Sequence, residues 1–193
     1  MTRTSDMVSR IQQAVDGTEA VVGAIGDTQW HRPTPCPGWD VRAELNHVVG
    51  GIRIYAAELT GGEAGAAHEA DWLGDDPRGA FARAAELDRA AWRRPDALDG
   101  EVRLGFGTVP APMAAQIHLT ELMVHGVDLA VAVGAERLID EVACARLLAE
   151  MRAMDFGTFR RPGMFGPEIP APAGAPAHRG LLAFLGRDLA AAA

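Results

Sequence analysis

At 193 residues, 48% of them apolar, the chain is long enough to bury a sizeable core and has the composition of a globular protein rather than a disordered one. A net charge of −8, with 18 basic residues that are all arginine, leaves no basic stripe to neutralise phosphates and argues against a nucleic-acid partner. No apolar run reaches the roughly 18 residues that span a bilayer, and Met1 to Asp6 lead straight into an amphipathic pattern without a signal-peptide core, so a cytoplasmic protein with no membrane partner is expected. Cys36 and Cys144 stand far apart in sequence, and no disulfide is expected of a cytoplasmic chain of this size.

From Ser5 to Ile25 the positions Met7, Ile11, Val15, Thr18, Val22 and Ile25 recur at steps of three and four, the period of a helix with one buried face. Gly26 and Asp27 end this first helix. The connector Trp30 to Gly38 carries three prolines, each of which fixes the backbone and biases the preceding residue toward extended conformations, so it reads as an ordered, non-helical link. Asp40 is a good N-cap for a second helix to about Leu59, with Val41, Leu45, Val48, Ile52, Tyr55 and Leu59 facing the core and Gly61-Gly62 as its stop. His47 flanks that apolar stripe beside Ala43, Gly51 and Ile54. Gly50-Gly51 in mid-helix costs about 1 kcal/mol per glycine relative to alanine, which the close approach of another helix or a ligand would explain.

Glu63 to Asp76 reads as a mobile loop with at most a short helical turn around His68 to Trp72. Asp76-Pro77 opens a third helix to about Arg94, with Phe81, Ala84, Ala85, Leu87, Ala91 and Trp92 inward, and Pro95 stops it. Asp96 to Pro110 is expected to be irregular or briefly extended. Pro112 opens a fourth helix that ends near Gly134, and Asp140 caps a fifth through Val142, Leu147, Leu148, Met151 and Met154. A Pro/Gly tail from Arg161 to Pro176 is expected along the surface, before a last short helix from His178 to Leu185. The pattern predicts an all-α fold: a four-helix bundle with additional short helices and a Pro/Gly-rich C-terminal tail, in a single domain over 1–193.

The chemistry concentrates in the fourth helix, where His118 to Ala130 puts Glu121, His125 and Asp128 in one stripe among Ile117, Leu122, Val124, Val127 and Leu129. A buried carboxylate beside a buried imidazole needs a partner, and a divalent metal is the most economical one. With His47 from the second helix, Glu121 and His125 make a candidate metal triad. The plainer alternatives are an i, i+4 polar pair and a hydrogen-bonded core histidine. Asp128, one turn after His125, is read as an acceptor that orients a ligand imidazole, as a catalytic base, or as half of an arginine salt bridge. Trp39 and Trp30 can wall a pocket or pack at the helix start, and Cys36 is a small buried residue in a turn or a thiolate near the metal. His118 would line the pocket mouth, while His31, His68 and His178 fall in loops or termini and carry no signal.

The segment Thr34 to Gly51, including Cys36-Pro37-Gly38-Trp39-Asp40-Val41, taken with Glu121 to Ala130, resembles the DinB/YfiT-like superfamily. More narrowly it is similar to the metal-binding domain of the mycothiol-dependent maleylpyruvate isomerase family and its actinobacterial relatives, and the tail residues Phe165 to Ile169 and Leu181 to Arg187 extend the likeness over nearly the whole chain. The resemblance implies a DinB-like bundle whose metal ligands are His47, Glu121 and His125, with zinc expected and nickel, manganese or iron also compatible with two imidazoles and a carboxylate. It also implies mycothiol as cosubstrate. One departure stands out: after the fifth helix this sequence has a short tail and one helix where the isomerase has a further domain, so the substrate does not carry over.

A metal held by two histidines and one glutamate keeps positions open for water or for a thiol bound as thiolate. The expectation is a mycothiol-dependent transferase or isomerase acting on a small electrophilic substrate through a metal-bound thiolate. The rivals are a metal-dependent hydrolase with Asp128 as base, and a non-catalytic protein that binds metal or a small molecule. Bundles of this kind often pair, so a homodimer is the expected assembly.

Overall fold

Aspartates decide where several helices begin and glycines where they stop. In the computed structural model, which describes residues 3–63, 67–161 and 164–187, α1 (Arg3–Ala24) is followed by α2 (Val41–Thr60), whose N-cap Asp40 accepts from the Ala43 amide and whose C-cap Gly61 sits at φ 70°. Asp76 caps α3 (Pro77–Trp92) through the Gly79 amide. α4 (Ala111–Val133) stops at Gly134, φ 72°, a left-handed position that glycine occupies without strain. Asp140 caps α5 (Glu141–Arg152) through the amides of Val142 and Ala143, and α6 (Ala177–Phe184) follows.

α1 lies beside α4 and α3, and α2 lies beside α3 and α4, so the order around the bundle is α1, α4, α2, α3. The links from α1 to α2 and from α3 to α4 therefore run across the bundle. The first is the proline connector, folded into a tight turn by bonds from the Thr34 amide to Trp39 O and from the Trp39 amide to Cys36 O, with Gly38 at φ 83°. The second contains an antiparallel hairpin, β1 (Glu101–Leu104) and β2 (Gly107–Pro110), that buries Val102 and Leu104.

α4 is apolar nearly all round because it is covered on two sides. Leu119, Leu122 and Leu129 belong to the bundle core, whereas Val124, Val127 and Val131 meet Leu147, Met151 and Leu181 of α5 and α6 in a second cluster. None of the described helices is long and apolar enough to cross a membrane. Both cysteines are free and buried.

Two expectations need correction. The loop before α3 is seated rather than loose over residues 67–76: the Trp72 amide donates to Asn46 Oδ1 at 2.8 Å, Trp72 Nε1 donates to His68 O, and Leu73 is buried. Residues 64–66 of that loop, and 162–163 of the tail, lie outside the described residues. The tail does run along the surface, and bonds from the Gly166 amide to Leu185 O and from the Ile169 amide to Ala183 O tie it along α6. Finally, Leu87 is exposed rather than inward, and α5 stops at Arg152, short of Met154.

Candidate metal centre

The turn before α2 and two adjacent helices build the site. His47, on α2, and His125, on α4, aim their Nε2 atoms at the same carboxylate oxygen, Oε2 of Glu121, at 3.1 and 3.3 Å. Ligand atoms of the three residues all lie within 4.8 Å of one another. The i, i+4 spacing of Glu121 and His125 puts them on one helical face, and the packing of α2 against α4 brings His47 opposite. The sequence-derived triad is thus assembled in space.

Behind it, His125 Nδ1 donates to Glu44 Oε1 at 2.6 Å, and Asp128 Oδ2 stands farther off at 3.7 Å. Asp128 instead accepts from Arg187 Nε at 3.1 Å, and both Asp128 and Glu44 are fully buried. The acceptor that orients His125 is therefore Glu44, one turn before His47 on α2, and of the three readings of Asp128 the structure shows the arginine salt bridge. The signal for Glu44 was an acid on the same helical face as His47, three residues away.

In front lies a cavity of about 1010 Å³, lined by His47, Glu121 and His125 and also by Cys36, Trp39, Tyr55, His68 and His118. Trp39 stacks on His125, ring centroids 5.6 Å apart, and tilts against His47 at 4.7 Å, so it does wall the site. Trp30 instead lies under the Arg78 guanidinium at 5.5 Å. His68, which carried no sequence signal, donates from Nε2 to His47 O and lies 4.6 Å from the His47 ring. His118 sits not at the mouth but deep, 2% exposed, bonded to Asp88. His178 pairs with Glu141, and His31 with Asp40, away from the cavity.

The electrostatics follow from crowding charged groups together in a partly buried space. Burial works against the Glu121 carboxylate, but the hydrogen bonds and charges of His125 and His47 outweigh it and hold its pKa well below the ordinary range. Burial likewise opposes a charged His125, yet Glu121 and Glu44 push its pKa up to about 10. His47 moves the other way, lowered chiefly by burial. Asp128 is raised by burial and by the neighbouring Glu44 charge, against the pull of Arg187. The Cys36 thiol is pushed up to about 12 by burial, which keeps it protonated.

This set fits a divalent cation. Glu44, Glu121 and Asp128 supply three carboxylates, and Arg187 is the permanent cation within the cluster, so two negative charges remain. Two carboxylate oxygens, Glu44 Oε2 and Asp128 Oδ1, are buried without a hydrogen-bond partner. Two imidazole nitrogens and one carboxylate on a cavity wall are a donor set that zinc accepts with positions to spare.

Residues 11–130 match the family described as the mycothiol maleylpyruvate isomerase N-terminal domain. The chain belongs to that family. The matched span contains all three residues of the triad together with Glu44 and Asp128. Two uncharacterised proteins of Mycobacterium tuberculosis, from strains CDC 1551 and H37Rv, are each 31% identical over 179 residues, covering 92% of this chain and 96% of theirs. Among solved structures, mycothiol-dependent maleylpyruvate isomerase aligns with a TM-score of 0.56 at 20% identity, and a histidine-to-alanine mutant of it with 0.57 at 22%. Each alignment covers 77% of this chain and 68% of the isomerase. The fold of this family member is accordingly the DinB-like helical bundle.

Proposed function

We propose that this chain is a divalent-metal-dependent thiol transferase or isomerase in which His47, Glu121 and His125 hold the metal, zinc by donor set, and mycothiol acts on a small electrophilic substrate. The observation that carries the reading is the convergence of two imidazoles on one carboxylate oxygen inside a cluster that lacks two positive charges. When bound, a divalent metal stabilises a thiol as its thiolate, the reactive nucleophile, without a separate base.

The chain's own residues do the rest. Glu44 fixes the plane of His125 so that Nε2 faces the cavity. Trp39 packs against both imidazoles, stacked on His125 and tilted on His47, and so limits how their rings can turn. Small-molecule sites run to about 300–1,000 Å³, and this cavity of about 1010 Å³ has room for a thiol cofactor beside a small electrophile. Its walls come from the bundle and from the C-terminal segment through Phe165 and Arg187, which supports reading 1–193 as one unit. A hydrolase with Asp128 as base is disfavoured, because Asp128 is fully buried, is not among the cavity-lining residues and is engaged by Arg187.

The test is metal content per chain, by inductively coupled plasma mass spectrometry, for the parent, His47→Ala and Glu121→Ala, followed by mycothiol-dependent turnover with maleylpyruvate as the first electrophile. About one equivalent in the parent, lost in both variants, is the expected result. No metal after expression with zinc, nickel and manganese would sink the proposal.

A further inference from the structure

A second built cluster opens onto the same cavity and has no part in holding a metal. His118 lies one turn before Glu121 on α4, 2% exposed and lining the cavity. Its Nε2 donates to Asp88 Oδ1 on α3 at 2.8 Å. The same oxygen accepts from Trp92 Nε1 at 3.2 Å, while Asp88 Oδ2 is buried without a partner. The His118 ring is held between Tyr55 of α2, at 4.4 Å, and Trp92 of α3, at 5.5 Å. Nothing among the described residues bonds to His118 Nδ1.

A core that needed only packing would not place a fully buried carboxylate there, since burying it is costly without compensation. An imidazole fixed in plane and tautomer by a carboxylate on one nitrogen, with the other free toward a cavity, is the arrangement of a proton-transfer group. The charged or titratable groups facing it are Asp88 from α3, Tyr55 from α2 and, one turn along its own helix, Glu121.

We propose that His118, oriented by Asp88, is the proton donor of the cavity, and that the reaction it serves is addition of a thiol across an activated carbon–carbon double bond. This rests on the thiol-dependent reading of the site given above. The thiolate sulfur bonds to one alkene carbon, the π pair moves to the neighbouring carbon and its carbonyl, and the His118 imidazolium delivers its Nδ1 proton to that carbon, keeping the Nε2–H that Asp88 accepts. The neutral imidazole is then reprotonated from water. A cis–trans isomerisation, in which the sulfur leaves again, ends with no proton gained by carbon and has no need of such a donor.

Two measurements on the zinc-loaded protein test it. Carbethoxylation with diethyl pyrocarbonate, mapped by mass spectrometry with the exposed His31 as internal control, is expected to modify His118 at its cavity-facing nitrogen. Modification of His31 without His118 overturns the proposal, because Nδ1 then does not reach the cavity. In turnover of mycothiol with maleylpyruvate in deuterium oxide, one deuterium on carbon in a thioether adduct is expected, with kcat falling about 100-fold or more in His118→Asn at unchanged metal content and near-constant KM. A parent-like kcat in His118→Asn, or isomerised product free of carbon-bound deuterium, overturns the proposal and leaves the thiol reading standing. Absence of any thiol-dependent turnover falls on the thiol reading, and the labelling result still decides whether His118 meets the cavity.

Discussion

The bond from His125 Nδ1 to Glu44 Oε1, 2.6 Å long, ties α4 to α2 directly behind the metal-facing nitrogen. A carboxylate can only accept, so the hydrogen must sit on Nδ1, and Nε2 is thereby assigned to the cavity. Partners of this kind orient ligand imidazoles and raise their basicity, and their loss weakens metal binding by about 10–100-fold. Glu44→Ala should therefore raise the zinc Kd by about that factor in a chelator competition, while Glu44→Gln, which keeps an acceptor oxygen, should lose much less. Equal losses in the two variants would mean that Glu44 acts through its charge rather than through orientation.

Charge balance predicts how metal and protons compete. Without metal, part of the missing positive charge is met by a proton on His125, whose pKa is pushed up to about 10 by Glu121 and Glu44 against its burial. Zinc uptake at neutral pH should thus release about one proton per metal, read as the buffer dependence of the calorimetric enthalpy. The stability sign follows. Because His125 is raised above its ordinary 6.5, its proton stabilises the metal-free fold fully below 6.5, and that contribution is lost as pH rises through about 10. The metal-free protein should melt at a lower temperature at alkaline than at mildly acidic pH, and the zinc-loaded protein should show the reverse trend, because protons compete for the same nitrogen. A pH-independent zinc affinity between 6 and 9 would contradict this account.

The glycine pair in α2 separates two causes that look identical in sequence. A Cβ at Gly50 would meet Trp72 Nε1 at 2.6 Å and the His68 ring at 2.9 Å, whereas one at Gly51 would find only His68 Nε2 at 3.8 Å. Gly50→Ala should push the seated loop off α2 and cost about 1–3 kcal/mol, as overpacking does. Gly51→Ala should stabilise by up to about 1 kcal/mol through helix propensity alone. Urea unfolding of both variants checks the pair, and similar destabilisation in both would show that helix packing around Gly51 is tighter than its one contact indicates.

Features fixed by local chemistry were legible in the sequence, and those fixed by contacts between distant segments were not. Asp40, Asp76 and Asp140 mark helix starts because a cap acts within three residues, and Gly61 and Gly134 mark stops for the same reason. Glu121 and His125 were readable as a pair because helical period puts them on one face, whereas His47 joined them as a ligand only through the family resemblance. The hairpin was foreseen only as a brief extension, since its pairing depends on burying Val102 and Leu104 against the bundle. His68 and Arg187 reach the cavity from segments without a helical period, which leaves their direction to tertiary packing. Gly50-Gly51 did announce a close approach, and the approaching group is a loop.

Arg187 carries the sharpest test of how the tail is joined to the site. It is 5% exposed and donates to Asp128, itself fully buried, across the face where the C-terminal segment closes on α4. Removing one partner of a buried pair leaves the other charge uncompensated, at a cost of about 3–5 kcal/mol. Arg187→Met should therefore destabilise by about that amount, and Asp128→Asn in the same background should recover most of it, because no lone charge then remains. Denaturant unfolding of the two single variants and the double variant gives the coupling directly. A double variant as unstable as the sum of the singles would mean that Arg187 holds the tail by packing its stem against Phe165, whose ring lies 6.0 Å from the guanidinium, and not by its charge.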